Sequence, residues 1–129
     1  MKFSVDKHEK YVVIRLDETK FTDFNVPGLK SEFILLNADG YCNIVLDLSE
    51  VKSCDDSQDL SCLLVADRLC KKAKGLFIVT GVADCIAEIL RLSSVDQSLH
   101  ILGSLAEAED LIFMEEIEKE LLGSFDEDE

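Results

Sequence analysis

The sequence predicts a single α/β domain built on a mixed, mainly parallel sheet with helices mainly on one face. Two observations carry this: the chain opens on two short strand-like runs, and continuous aliphatic runs then recur between stretches of helical spacing. Phe3 and Val5 alternate with polar residues, and Tyr11 to Leu16 follows the charged turn Asp6 to Glu9, so the opening reads as a β-hairpin. Asn25 precedes Val26-Pro27, with Pro at a first-turn position. Leu29, Phe33 and Leu36 then recur at helical spacing until Asp39-Gly40 stops the helix. Asn43 to Leu48 has the uninterrupted aliphatic centre of a strand covered on both faces. A second helix runs from Asp59 to Lys72 and is ended by Lys74-Gly75, and Leu76 to Val79 is another buried strand. Asp84 to Leu92 reads as a third helix and Leu99 to Leu102 as a short strand. Ser104-x-x-Glu107 is a capping box that starts a last helix through about Leu121. Alternation of strand and helix requires crossover connections, and therefore parallel pairing.

At 129 residues the chain suits one core that buries roughly two-thirds of its unfolded surface. Hydrophobic residues make up 47% of it, enough to exclude disorder over most of the length. The domain is expected over residues 1–122, followed by an acidic, mobile tail at 123–129. Net charge is -14, and from Glu115 onward eight acidic residues and one Lys supply -7 of it. Such a surface repels phosphate backbones and anionic lipid, and no basic stripe offsets it, so nucleic acid and membrane are excluded as direct partners. A protein partner is expected. The five cysteines form no C-x-x-C pair and have no His at ligand spacing, so neither a metal site nor a disulfide framework is indicated. Cys62 and Cys70 stand eight residues apart and read as small buried residues on one helix face. Reduced thiols and the absence of a long apolar leader point to the cytoplasm.

Asp55-Asp56-Ser57-Gln58-Asp59 opens the second helix. Asp56 suits an N-cap, Asp59 takes the reciprocal third position, and Ser57 falls in the first turn, where a phosphate would be favoured by free backbone N–H groups. On a helical projection Cys62, Leu63, Val65, Ala66, Leu69, Cys70 and Ala73 face the sheet, while Ser61, Asp67, Arg68, Lys71 and Lys72 face away. Leu60 and Leu64 fall on the polar side, an apolar anchor in a polar rim. Catalysis finds little support: His8 and His100 stand apart from any nucleophile, Gly81 and Gly103 form no phosphate cradle, and no cofactor is called for. Asp55-Asp56 could serve a magnesium-dependent receiver, but the acids sit together and the chain opens with a hairpin.

The hairpin, the strand ending Asp47-Leu48-Ser49-x-Val51 and the helix start Asp56-Ser57-Gln58-Asp59-Leu60 resemble the anti-sigma factor antagonists of the STAS-domain family. The likeness extends through the Leu76 to Val82 strand, the Ile86-x-x-Ile89-Leu90-x-Leu92 helix and Ser94-Val95-Asp96, from Lys2 to Met114. It implies a non-enzymatic bacterial partner-switching protein. The unmodified form would bind an anti-sigma factor that is also a serine kinase, phosphorylation of Ser57 would end binding, and a serine phosphatase would reset it. The implied partner surface comprises Asp56, Gln58, Asp59, Leu60, Leu64 and Asp67, with Thr22, Asp23 and Phe24 from the preceding loop. Gln58 and Asp59 stand where the family has Ser and Gly. Counted from Asp47 instead, Asp55 takes the family Asp position and Asp56 that of the acceptor. The alternative is thus a STAS-like module that is never phosphorylated, with Asp56 or Asp59 as a fixed charge.

Overall fold

The computed structural model describes residues 3–21, 25–54, 60–92, 97 and 99–126, with 25–26 and 123–126 described by their backbone only. In chain order the elements are β1 (Phe3–Lys7), β2 (Val12–Leu16), β3 (Lys20–Phe21), α1 (Asn25–Ala38), β4 (Ile44–Asp47), β5 (Ser53–Cys54), α2 (Cys62–Lys72), β6 (Phe77–Thr80), α3 (Asp84–Leu92), β7 (His100–Leu102) and α4 (Leu105–Asp126). Five strands form one sheet in the order β1-β2-β4-β6-β7. β1 pairs antiparallel with β2, as the opening hairpin predicts, and the remaining three pairings are parallel. The sheet is mixed, mainly parallel, and belongs to a single α/β domain.

Buried apolar residues follow one another in β2 (Val12 to Ile14), β4 (Ile44 to Leu46) and β6 (Phe77 to Val79) because both faces of the sheet are covered, and neighbours along a strand point to opposite faces. Val12, Ile14, Leu16, Ile44, Leu46, Phe77 and Val79 pack in one cluster with Leu29, Phe33 and Leu36 of α1, Cys62, Leu63, Ala66 and Cys70 of α2, and Ile86 and Leu90 of α3. The Phe33 and Phe77 rings meet edge to face at 5.5 Å. On the opposite face Tyr11, Val13, Val45 and Ile78 pack against Ala108 and Ile112 of α4. Three helices therefore lie on one face and one on the other. Each fully buried aliphatic or Phe side chain contributes about 1.5–3 kcal/mol relative to exposure.

Among the described residues Asn43 is the one buried amide, at the amino-terminal ends of the strands, and it is fully engaged. Its Nδ2 donates to the Lys10 carbonyl at 2.9 Å and to Glu116 Oε1 at 2.5 Å, while its Oδ1 accepts from the Leu76 N–H at 2.9 Å. One side chain thus ties the starts of β2, β4 and β6 to α4. The end of α2 is closed beside it, at the expected Lys74-Gly75 pair. Lys74, not Gly75, takes the left-handed conformation, with φ 63°. Gly75 is required for space, since a Cβ there would stand 1.9 Å from the Cys42 carbonyl oxygen.

α4 also departs from the prediction, running to Asp126 instead of ending near Leu121. No proline or capping signal intervenes, and Gly123 alone costs only about 1 kcal/mol in a long helix. Four residues assigned to the tail, 123–126, are thus helical in backbone, and 127–129 lie outside the described residues. Its start is as expected in kind: Ser104 Oγ accepts the Glu107 N–H at 3.3 Å, and the Glu107 carboxylate reaches back to the Gly103 N–H at 3.3 Å.

Candidate functional site

Loops leaving the carboxyl ends of the parallel strands share one edge of the sheet, the usual place for recognition in such a fold. Sequence reasoning did not detect the second small sheet that organises this edge: β3 and β5, two residues each, pair in parallel with Lys20 opposite Ser53 and Phe21 opposite Cys54. Their brevity, with one buried and one exposed residue in β3, leaves no alternation to detect. The pair is extended by Thr19, whose carbonyl accepts from the Lys52 N–H at 2.7 Å and from the Ser53 N–H at 3.3 Å. Phe21 is fully buried beneath it. Because the pairing is parallel, the described chain leaves Phe21 and Cys54 side by side and in the same direction.

The adjoining loops are braced to this pair. Asp47 Oδ1 accepts the Ser49 N–H at 2.9 Å, turning the chain at the end of β4, and the Cys85 thiol of α3 donates to the Lys52 carbonyl at 2.8 Å. Gly81, with φ 69°, brings the loop after β6 against Ser49, where a Cβ would stand 2.9 Å from the Ser49 nitrogen. That close approach gives Gly81 a structural reason that no phosphate cradle supplies. Arg15 and Glu50 pair at 3.2 Å on the exposed rim. On α3 the Arg91 guanidinium bonds Glu88 and holds its carboxyl below the usual range.

Of the proposed contact residues, Thr22, Asp23, Phe24, Asp56, Ser57, Gln58 and Asp59 lie outside the described residues, as does Asp55. The structure does place Leu60, Leu64 and Asp67, and it corrects two of them. Leu60, expected on the polar side, is fully buried in the main core. Regular α-helix begins only at Cys62, and Leu60-Ser61 form a tighter 3-10 turn, so the 100° phase used in the projection does not reach back to Leu60. No side chain caps α2 at Ser61.

Asp67, also expected to face away, is 3% exposed. Its neighbours in the helix, Cys62, Leu63, Ala66 and Cys70, are buried, so the inner arc is shifted toward this flank and takes in Asp67. Val65 and Leu69, placed on the inner arc, are only half-buried, and Ala73 is exposed. The Lys71 ammonium neutralises Asp67 from 2.7 Å, while Asp67 Oδ1 has no hydrogen-bond partner. Leu64 is half-buried and packs against the core, so it retains an exposed portion beside Arg68 and Lys71. Burial pushes the Cys70 thiol up to about 12, which suits the packing role expected of it.

No family model matches the chain, and no curated protein sequence does. Solved structures do. The chain is similar to TM1081 of Thermotoga maritima, described as a candidate anti-sigma factor antagonist, with TM-score 0.73 and 23% identity over 85% of this chain and 93% of that one. It is similar to an anti-sigma factor antagonist from Mycobacterium paratuberculosis, with TM-score 0.74 and 20% identity over 86% and 92% of the two chains. It is also similar to the Bacillus anti-sigma factor antagonist SpoIIAA in its unphosphorylated form, with TM-score 0.73 and 16% identity over 86% and 96%. The chain has the STAS fold. The hairpin, the alternating βα units and the short parallel β3–β5 pair are parts of that fold, and the likeness covers most of the chain. Among the described residues no helix is long and apolar enough to cross a membrane, and no group of three or more His, Cys, Asp or Glu could hold a metal.

Proposed function

We propose that the chain is a non-enzymatic antagonist of an anti-sigma factor serine kinase, acting in a partner switch whose toggle is Ser57. The observation that carries this is the parallel β3–β5 pair: segments 22–24 and 55–59 start from adjacent points, Phe21 and Cys54, and the second leads in sequence to Leu60 and α2. Thr22, Asp23 and Phe24 can then share a surface with Asp56, Gln58 and Asp59, flanked by the exposed part of Leu64. Leu60 and Asp67 support that surface from beneath instead of touching the partner. The fold adds support, since its neighbours are anti-sigma factor antagonists and SpoIIAA has been solved in both unphosphorylated and phosphorylated forms.

The switch works by charge. A phosphoryl group adds about -1.5 to -2. At roughly 6 Å from a partner carboxylate each charge pair costs about 0.7 kcal/mol in water and near 3 at an effective dielectric of 20. Since about 1.4 kcal/mol is tenfold in affinity, one or two such pairs in a desolvated interface release the partner. A serine phosphatase restores the binding form. Asp55, Asp56 and Asp59 already surround Ser57 in sequence, so the kinase must offset these three with cations while a carboxylate faces Ser57 itself.

That same acidic run favours the second reading, an interaction module with Asp56 or Asp59 as a permanent charge. Incubation with a cognate anti-sigma kinase and ATP, read by intact mass, separates the two. A species heavier by about 80 Da that Ser57→Ala abolishes is expected. An unchanged mass leaves the fixed-charge module. A base-labile adduct that survives Ser57→Ala assigns the phosphate to Asp55 or Asp56 and overturns both.

A further inference from the structure

α4 carries two apolar faces, and the fold uses only one. Ala108 and Ile112 pack on the sheet, while Phe113, Met114, Ile117 and Leu121 remain 46%, 62%, 57% and 60% exposed. At 100° per residue these four occupy a continuous arc of about 100° on the side of α4 turned away from the sheet. The stripe is roughly 12 Å long at 1.5 Å per residue. Its first member is fixed in place: the Phe113 ring meets Tyr11 edge to face at 6.0 Å, Tyr11 is stacked on His8 at 4.4 Å, and the Tyr11 hydroxyl donates to Glu109. A rigid, half-exposed aromatic beside aliphatic neighbours has the composition of a binding hot spot.

The charge around the stripe selects what can cover it. From Leu105 to Asp126 there are eight carboxylates and one Lys. That Lys119 is turned to the body of the domain, donating to the Lys74 carbonyl at 2.9 Å and pairing with Glu116 at 3.2 Å. Asp110 closes one end of the stripe, Glu118 runs along one edge and Glu109 stands at the other. A second copy laid on the same face would set these carboxylates against their own counterparts, and an anionic bilayer would be repelled as strongly. The strip is also one helix wide, well below the ~800 Å² per partner of a standard subunit interface.

We infer that the outer face of α4 is a docking site for a basic amphipathic helix of a protein partner, with Phe113, Met114, Ile117 and Leu121 in the contact and Asp110 and Glu118 as its charged rim. It lies on the opposite face of the sheet from α2, so it is independent of the Ser57 switch and both partners can be held at once.

The test uses the full chain and a fluorescent synthetic helix of about 18 residues, roughly five turns, with Leu on one face and Lys on the other. Its control is the same composition scrambled so that no apolar face forms. Anisotropy titrations at about 0.15 M ionic strength keep non-specific attraction screened beyond ~8 Å. The amphipathic helix is expected to bind at least about tenfold more tightly than the scrambled one, a margin of about 1.4 kcal/mol. Ile117→Gln with Leu121→Gln, both exposed and therefore neutral to folding, should erase that margin while leaving the thermal midpoint unchanged. Equal binding of both peptides, or no binding of either, overturns the inference. So does a dimer in sedimentation equilibrium that the same double variant converts to monomer, because a second copy would then be the occupant.

Discussion

Replacing Gly75 by Ala tests how α2 is anchored at the end opposite the proposed switch. The new methyl would stand 1.9 Å from the Cys42 carbonyl oxygen, 2.4 Å from its carbon and 2.8 Å from its Cβ. An ordinary C···O contact is about 3.3 Å, so the two chains must separate by roughly 1.4 Å. Neither yields easily. Gly75 is held by its N–H, which donates to the Cys70 carbonyl at 2.7 Å, and one residue beyond it Leu76 bonds through its carbonyl to the Ile44 N–H at 2.9 Å. Overpacking costs about 1–3 kcal/mol, and an obstacle made of backbone places this case at about 3 or above, out of a total of roughly 5–15. The contrast is Gly40→Ala, where φ is 100° but nothing lies within 4 Å of the added carbon. Only backbone strain of about 1–2 kcal/mol is paid there. Denaturant unfolding of both variants gives the two free energies directly, with about 10 °C loss of Tm expected for Gly75→Ala. Should Gly75→Ala lose no more stability than Gly40→Ala, the close approach at Cys42 does not fix α2, and the anchoring argument fails.

Other consequences follow from burial and protonation. Leu60→Ala should lose about 2–5 kcal/mol in urea unfolding, as a core Leu does, and a loss below about 0.5 would return Leu60 to the surface. Asp67→Leu should be neutral or stabilising by about 1 kcal/mol, because it removes a buried carboxylate with an unpartnered oxygen while Lys71 stays solvated; a loss above about 3 would show that the pair holds α2 in place. Tyr11 is pushed up to about 12 by burial and by its bond to Glu109, and Cys70 to about 12 by burial, so the unfolded chain gives up these protons first. Their contribution is complete below about pH 9 and is lost as pH rises toward 12, which Tm measured across that window should follow, with a shallower fall in Tyr11→Phe.

Most of the architecture was legible because the strong signals were long. Leu29, Phe33 and Leu36 mark one face of α1, all are buried, and Asp84 and Leu92 bound α3 as expected. The continuous apolar run of β4 correctly implied a strand covered on both faces. Short features escaped. β3 and β5 have two residues each, below any periodicity, yet they align the two segments from which the candidate surface springs. Leu60 and Asp67 were misplaced because a single helical phase was carried through a 3-10 turn and its arc centred too far from Asp67. Lys74 and Gly75 show a subtler limit: the pair correctly ended α2, but the lack of space that requires Gly75 is set by Cys42, more than thirty residues away. The exposed stripe of α4 was hidden by its own low contrast, since both of its faces are apolar.

In the proposed function Ser57 is the charge toggle of the partner surface. The direct measurement is the affinity of a cognate anti-sigma kinase for the unmodified chain, for the chain stoichiometrically phosphorylated at Ser57, and for Ser57→Ala before and after treatment with kinase and ATP. About a hundredfold weaker binding of the phosphorylated chain is expected, with Ser57→Ala binding that treatment does not change. Equal affinity of the phosphorylated and unmodified chains would contradict it.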